Sequence, residues 1–249
     1  MLGYDFSHWN SDKQFNEKMP SAQFFFHKAS EGMYNNDPCC ISRLKATTKP
    51  CGVYHVVVPK KNSWENEFEN FCAVLDRIFS FRKVGIALDL ENSSNYVPYD
   101  SSEEVLVWLF NMVTALKNRY GQPVILYMGD LYPDQWYRDL EDAGAVFWIA
   151  RWGKAPTHKC HFWQSADNLN GEKLDVDQTM VSDEEALRCL GEASIEKYPQ
   201  KMVTEEQLQS SLRVIARAVW QGRFGMGKER KDLIYKAVQN CVNNLGKDW

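Results

Sequence analysis

Two acidic side chains two residues apart give the strongest chemical signal in this sequence. In the run Ile86–Glu91 apolar residues alternate with Asp89 and Glu91, so a strand here sends both carboxylates to one face. Same-face neighbours in a strand lie roughly 7 Å apart, near the separation of the paired carboxylates that cleave glycosidic bonds. That distance is too coarse to choose between retaining and inverting chemistry. The alternative interpretation is that both acids lie at a solvated strand end and have no catalytic role.

Three further acids follow the same alternation near the two ends of one predicted domain. Asp5 lies between two aromatic residues, and Asp175 and Asp177 share one face of their run. If the sheet closes into a barrel, the first and last strands become neighbours. Asp5 and Asp175 would then lie together and face the same interior as the first acidic pair. Crowded carboxylates raise one another's pKa, which keeps one of them protonated near neutral pH as a general acid.

Aromatic and amide side chains are predicted at the same strand ends as the acids. Flat aromatic faces stack on sugar rings, so their joint position favours a sugar-binding groove, although packing inside the barrel is the alternative for any single one. The candidates are Tyr54, Tyr127, Trp152, Trp163 and Gln164.

The elements that would position these side chains alternate between strand and helix. Short apolar runs separated by amphipathic segments are typical of a parallel sheet with crossover helices. We predict eight strands, at 3–7, 23–28, 52–58, 84–91, 124–128, 146–150, 161–165 and 173–177. Five helices are predicted between the first six strands, at 12–18, 38–49, 64–81, 102–120 and 133–142. This is a (βα)5β3 TIM-like barrel of the α/β class, which places the active site where the strands end.

The composition excludes several classes of function. The chain has 249 residues, a net charge of −4 and no apolar run long enough to span a membrane, which argues against nucleic acid and membrane as partners. No signal peptide is recognisable at its start. Seven cysteines at irregular spacing predict free thiols. The short cluster His158–His161 lacks a second ligand pair at zinc-type spacing, so we expect neither a metal nor an organic cofactor.

The last part of the chain has a different character from the rest. After a domain at 1–190 and a linker at 191–202, residues 203–249 form a predicted helical module. This module carries a charge of +3 against −7 for residues 1–202. A basic module on an acidic domain suggests an anchor for a negatively charged polymer.

Seven strings in the first 180 residues resemble, in order, the glycoside hydrolase family 25 lysozymes, whose fold is the same barrel. The strings are Gly3–Trp9, Phe26–Gly32, Gly52–His55, Leu88–Glu91, Trp148–Trp152, Phe162–Gln164 and Leu174–Asp177. The resemblance implies a muramidase that cleaves the β-1,4 bond from N-acetylmuramic acid to N-acetylglucosamine in peptidoglycan.

The resemblance also implies roles for individual residues. Glu91 would be the proton donor, and Asp89 would position the acetamido group of the substrate. Asp5 and Asp175 would shape the charge and hold substrate or water. Substrate-binding positions would include Lys28 and Glu31, together with the aromatic and amide candidates above and Asp177. Where the family has Gln and Asn, this chain has Asn10 and Asp177, which leaves open whether Asp175 or Asp177 is the functional last-strand acid.

The module at 203–249 resembles the CW-seven cell-wall-binding repeat of phage lysozymes. Its wall-binding candidates are Arg223, Phe224, Glu229 and Arg230. Phe224 stands where the repeat usually has Trp, and there is one copy. The expected protein is therefore an endolysin-type lysozyme made in the bacterial cytoplasm and released to the wall, with an oligomeric state that the sequence leaves open. Alternatives are a catalytically inactive wall-binding protein and a polysaccharide deacetylase, although the sequence has no His-x3-His ligand pair for the latter.

Overall fold

A computed structural model describes residues 1–91, 101–167, 171 and 174–192, and the predicted module at 203–249 lies outside these residues. The described chain forms one mixed α/β domain around a single sheet. Its strands are β1 (Leu2–Phe6), β2 (Phe24–Glu31), β3 (Asn35–Asn36), β4 (Cys51–Val56), β5 (Gly85–Asp89), β6 (Val124–Gly129), β7 (Ala145–Ala150), β8 (Phe162–Ala166) and β9 (Asp175–Thr179).

The sheet closes into a barrel, which confirms the predicted architecture. Its order is β1-β9-β8-β7-β6-β5-β4-β2-β3, and an additional pairing of β1 with β2 joins the ends, with the two-residue β3 outside the ring. The pairings from β1 through β2, β4, β5, β6 and β7 to β8 are parallel. Strand β9 is antiparallel to both neighbours, a difference from an all-parallel sheet. The connection from β8 to β9 is short and contains no crossover helix among its described residues, which is compatible with an antiparallel return of β9 along β8.

Six helices are described, and five of them are the predicted crossovers. They are α1 (Asp12–Lys18), α2 (Cys40–Lys45), α3 (Trp64–Phe79), α4 (Glu103–Tyr120), α5 (Asp134–Ala143) and α6 (Asp183–Cys189). The prediction at 38–49 was too long, since α2 begins at Cys40 and ends at Lys45. Gly121 ends α4 in the left-handed conformation, with φ of 69°.

Two packed layers hold the barrel together. One lies between the sheet and the helices, where residues such as Leu75, Leu109 and Leu126 are fully buried. The other fills the barrel interior with aromatic rings, among which Phe26 and Trp148 stack with centroids 4.0 Å apart. This interior plug leaves room for a cleft only above it, at the ends of the strands. No described helix is long and apolar enough to cross a membrane.

Helix α6 covers the opposite end of the barrel, where the parallel strands begin. Its close approach requires a glycine at the start of β5. A Cβ added to Gly85 would lie 2.7 Å from the carbonyl oxygen of Cys189 and 3.1 Å from the Cα of Leu190. Both are backbone atoms, so the strain cannot be relieved by rotating a side chain. The packing of α6 at this end of the barrel, which we call the floor, therefore depends on the absence of a side chain at Gly85.

We expect Gly85→Ala to lower the free energy of unfolding by about 1–3 kcal/mol, because the added methyl group would push α6 away from β5. Urea denaturation would measure the change. Gly129→Ala is the matched control, since a Cβ there meets nothing within 4 Å. Equal stability of the two variants would show that α6 does not need this close approach.

Candidate active site

The cleft at the carboxyl ends of the strands has a volume of about 730 Å³ and collects most of the predicted site residues. Those that line it are Asp5, Lys28, Glu31, Tyr54, Asp89, Glu91, Tyr127, Trp152, Gln164 and Asp175. They come from seven different strands and from the loops that follow two of the strands. Because parallel strands end at one rim, side chains far apart in sequence meet there.

Barrel closure brings the first and last acids together, as predicted. Asp5 of β1 lies directly opposite Asp175 of β9 in the antiparallel register. Their side chains hydrogen-bond to each other, which requires a proton on one of them. Asp5 is buried and Asp175 is partly exposed to the cleft. The sequence placed both acids correctly because strand alternation and closure together determine which faces meet.

Gln164 of β8 connects this acid pair to the aromatic wall. Its Nε2 donates to Asp5 Oδ2 over 2.9 Å. Its Oε1 accepts from the Tyr127 hydroxyl at 2.9 Å and from Trp152 Nε1 at 3.2 Å. The three bonds fix the orientation of the amide, since donors and acceptors leave one consistent assignment. Trp152 is 58% exposed, so its face is free to meet a ligand in the cleft.

The second acid pair has two different environments. Asp89 ends β5 and is buried, whereas Glu91 lies two residues beyond the strand and is exposed. The predicted strand at 84–91 was thus too long, and the two acids do not share a continuous strand face. Hydrogen bonds continue past the strand end, where Leu90 N donates to the carbonyl oxygen of Tyr127 at 3.0 Å. Glu91 is therefore held at the rim above Asp89.

An ion pair faces these two acids. Lys28 and Glu31, both on β2, pair with each other and line the cleft. Loss of water around Asp89 and repulsion from Glu91 raise the pKa of Asp89 well above its ordinary value, while Lys28 acts in the opposite direction. The pKa of Glu91 is also raised, mainly because surrounding protein displaces water, against the lowering effect of Lys28. The lysine thus limits the cost of holding two carboxyl groups together.

The two acids at the closure of the barrel also have raised pKa values. Burial raises the pKa of Asp175 to about 9, and repulsion from Asp5 and the hydrogen bond to Asp5 add to that shift. The pKa of Asp5 is raised by burial and by Asp177, although its hydrogen bonds with Gln164 and Asp175 oppose the change. A carboxyl group with a pKa near 9 is neutral at pH 7 and can donate a hydrogen bond.

Two predicted residues lie away from the cleft surface. Trp163 points to the helix side of the sheet, where its Nε1 donates to the carbonyl oxygen of Arg151 at 2.8 Å. It neighbours Gln164 in β8, and successive strand residues face opposite sides, so both could not line the cleft. Asp177 is fully buried beneath it and accepts from Trp148 Nε1 at 2.8 Å. Of the two last-strand acids, Asp175 is the one that reaches the cleft.

Sequence reasoning missed several cleft residues on the loops. Trp9 is 84% exposed beside the cleft, and its position in the string Gly3–Trp9 was the available signal. Asp37 also lines it and accepts from the backbone N–H of His8 at 2.8 Å. Burial alone would raise the pKa of Asp37, but hydrogen bonds from His8 and from the backbone N–H of Cys39 help to lower it below its ordinary value. No spacing in the sequence links Asp37 to His8, because only the fold brings their loops together.

The pKa of Asp175 gives a prediction for stability against pH. Its folded pKa of about 9 lies above the ordinary 3.8, so its contribution is fully present below about pH 4 and is lost as pH rises toward 9. We expect the melting temperature to fall between pH 5 and pH 9, and Asp175→Asn to weaken this fall. Calorimetry across that range would measure it. Asp142→Asn on exposed helix surface is the control, and identical pH profiles of both variants and wild type would contradict the assignment.

Comparison with known proteins agrees with this geometry. The model of the family described as glycosyl hydrolases family 25 matches residues 4–173. A family 25 glycosyl hydrolase from Bacillus anthracis is 23% identical, with a TM-score of 0.61 over 75% of this chain and 92% of that one. A bacterial lysozyme from Streptomyces coelicolor is 19% identical, with a TM-score of 0.59 over 78% of this chain and 98% of that one.

A similar fold is found in a phage protein. The catalytic domain of the endolysin ply40 from bacteriophage P40 of Listeria monocytogenes is 18% identical, with a TM-score of 0.59 over 78% of this chain and 98% of that one. No curated protein matches this chain. The family match spans most of the described barrel, including both acid pairs except for Asp175. The chain therefore belongs to glycosyl hydrolase family 25 and is a glycoside hydrolase.

Proposed function

We propose that this enzyme is an endo-acting muramidase that hydrolyses the β-1,4 bond between N-acetylmuramic acid and N-acetylglucosamine in bacterial peptidoglycan. The observation that carries the proposal is the convergence of Asp5, Asp89, Glu91 and Asp175 in one cleft. Carboxyl groups with raised pKa values beside a sugar-binding wall are what glycosidic hydrolysis requires. The family match and the lysozyme-like fold support the same reaction.

Glu91 is the proposed proton donor because it is the acid that reaches the rim of the cleft. Its raised pKa keeps a larger fraction protonated, and its exposure lets it meet the oxygen of the leaving sugar. Protonation of that oxygen occurs as the glycosidic bond breaks. The resulting carboxylate then takes a proton from the attacking water, which restores the acid.

Asp89 is the proposed partner that orients the substrate. It is buried next to Glu91, and its carboxyl group can accept a hydrogen bond from the N–H of the substrate's acetamido group. The acetamido oxygen is then held toward the anomeric carbon, where it stabilises the positive charge as the bond breaks. Asp5 and Asp175 hold water or substrate hydroxyl groups, with Asp175 as the last-strand acid that has access.

The aromatic wall gives the cleft its preference for sugar. Trp152 offers an exposed face, while Tyr54 and Tyr127 are held beneath it around the acids. Lys28 and Glu31, which pair with each other at the cleft, are the proposed polar contacts of the substrate on this side. The aromatic and hydrogen-bonding groups together fit a polysaccharide such as the glycan of peptidoglycan.

We also propose that residues 203–249 bind the cell wall and act as the targeting part of an endolysin that lyses its bacterial host. This module lies outside the described residues, and its support is its charge of +3 and the CW-seven resemblance at Arg223, Phe224, Glu229 and Arg230. Its proposed role is tethering, since the acids that carry the chemistry all belong to the barrel.

Two alternatives remain to be tested against the muramidase. An inactive wall-binding protein would release no reducing ends from purified peptidoglycan. A metal-dependent deacetylase would release acetate instead, and a chelator would stop it. We expect reducing ends to appear with and without chelator, because the four cleft acids supply the acid and base chemistry themselves.

Replacing the proton donor should remove most activity without unfolding the protein. Glu91→Gln keeps the shape but not the acid, so we expect turbidity clearing of susceptible cell walls to slow by roughly 10²–10⁴. Glu65→Gln on the exposed surface of α3 is the control and should clear at the wild-type rate. Wild-type clearing by folded Glu91→Gln would contradict the assignment. Full activity of Asp89→Asn would move the partner role to Asp5 or Asp175.

A chain that ends at residue 202 should keep its chemistry and lose its targeting. It should cleave soluble muropeptide oligomers at the full rate but clear whole cells more slowly, because tethering raises the effective concentration at the wall. The advantage of the full chain should shrink as salt rises if charge attraction dominates, since screening acts within about 8 Å at physiological ionic strength. Unchanged lysis and unchanged sedimentation with walls would disprove wall binding.

A further inference from the structure

Three side chains with metal-binding atoms meet at the floor of the barrel, far from the cleft. His161 immediately precedes β8, and Glu185 and Cys189 lie one turn apart on α6. The ligand atoms of all three lie within 4.8 Å of one another. We propose that this cluster binds one divalent cation of the zinc type and thereby fastens α6 to the barrel.

The donor set matches the chemistry of zinc. An imidazole nitrogen, a carboxylate oxygen and a thiolate sulfur are its three usual protein ligands, at about 2.0–2.3 Å from the ion. Ligand atoms in a tetrahedral site are then roughly 3.5 Å apart. The observed limit of 4.8 Å needs a contraction of only about 1 Å, which small side-chain rotations on one helical turn can supply. Hard cations such as magnesium avoid sulfur and are disfavoured.

Individual atoms in the cluster are available to a cation. Glu185 Oε2 accepts from Arg188, whereas Oε1 lies 3.7 Å from His161 Nε2 and points toward the cluster. His161 Nδ1 is buried and has no hydrogen-bond partner among the described residues. Cys189 is a free, fully buried thiol. Each of the three therefore has a donor atom that no other described side chain occupies.

Charge and access also fit. A thiolate from Cys189 and a carboxylate from Glu185 together neutralise a divalent cation. The side chains of His161 and Glu185 are 14% and 31% exposed, so an ion can enter from solvent. Water can take the fourth position on that side, while Cys189 anchors the ion from within.

The site would serve stability and not the hydrolysis reaction. His161 immediately precedes β8, and Gln164 of the cleft lies further along that strand, so the cation would lie at the opposite end of the barrel from the acids. It would add a bond between α6 and the sheet at the floor that already depends on Gly85. The inference is independent of the proposed muramidase activity.

Metal binding to the full chain tests the proposal. The protein is stripped with chelator and titrated with Zn²⁺ by calorimetry, and with Co²⁺ to detect the absorption of a cobalt–thiolate bond. We expect one ion per chain, a cobalt–thiolate band, and a melting temperature higher by roughly 5–10 °C at about 100 times Kd. No binding, or binding without a thiolate band, would overturn the proposal.

Variants locate the site. Cys189→Ser should abolish the thiolate band, and His161→Gln and Glu185→Gln should each weaken Zn²⁺ binding by at least about tenfold. Cys160→Ser, which changes the thiol next to His161 but outside the cluster, should bind as wild type. Because Cys189 is buried and its variant can fail to fold, the partly exposed Glu185 gives a second test. Wild-type affinity in both Glu185→Gln and His161→Gln would place the ion elsewhere and refute the inference.

Discussion

The antiparallel pairing of β1 with β9 is the interaction on which the site depends. Together with the pairing of β1 to β2 it closes the barrel, and its register places Asp5 opposite Asp175. Gln164 then joins this pair to the aromatic wall through Tyr127 and Trp152. A shift of β9 by one residue in this register would turn Asp175 to the other side of the sheet, away from Asp5. The backbone pairing therefore determines the chemistry of the cleft as well as the closure of the barrel.

Burial of these acids lowers the stability of the fold, and the same burial raises their pKa values. Loss of water raises the pKa of Asp5, Asp89 and Asp175, so their charged forms are disfavoured in the folded protein. The aromatic plug below, with Phe26 stacked on Trp148, excludes water from that side and contributes packing that offsets the cost. Burial of these carboxyl groups therefore costs stability but leaves them able to hold protons near neutral pH.

Much of this arrangement could be predicted from sequence, because period-two alternation identifies both the strands and the face of each acid. The barrel, its crossover helices and the meeting of Asp5 with Asp175 followed from that rule. The rule failed where chain geometry departs from a regular strand, as at Glu91, which lies beyond β5. It was also misapplied to Trp163, which cannot share a face with Gln164.

Contacts between loops and between distant elements carried no sequence signal. The direction of β9, the pairing of β3 before α2 and the loop contact of His8 with Asp37 all depend on tertiary structure. The meeting of His161 with α6 is of the same kind. The string that contains His161 has no second ligand pair in sequence, and only the folded chain brings Glu185 and Cys189 to it.

The identity of the new reducing end tests the central claim most directly. Purified peptidoglycan would be digested with the full chain, reduced with borohydride and examined by mass spectrometry. A muramidase leaves N-acetylmuramic acid at the reducing end, so the account predicts muramitol as the reduced sugar. Glucosaminitol would show cleavage of the other glycosidic bond, and the absence of any new reduced end would show that the four acids in the cleft do not hydrolyse peptidoglycan glycan at all.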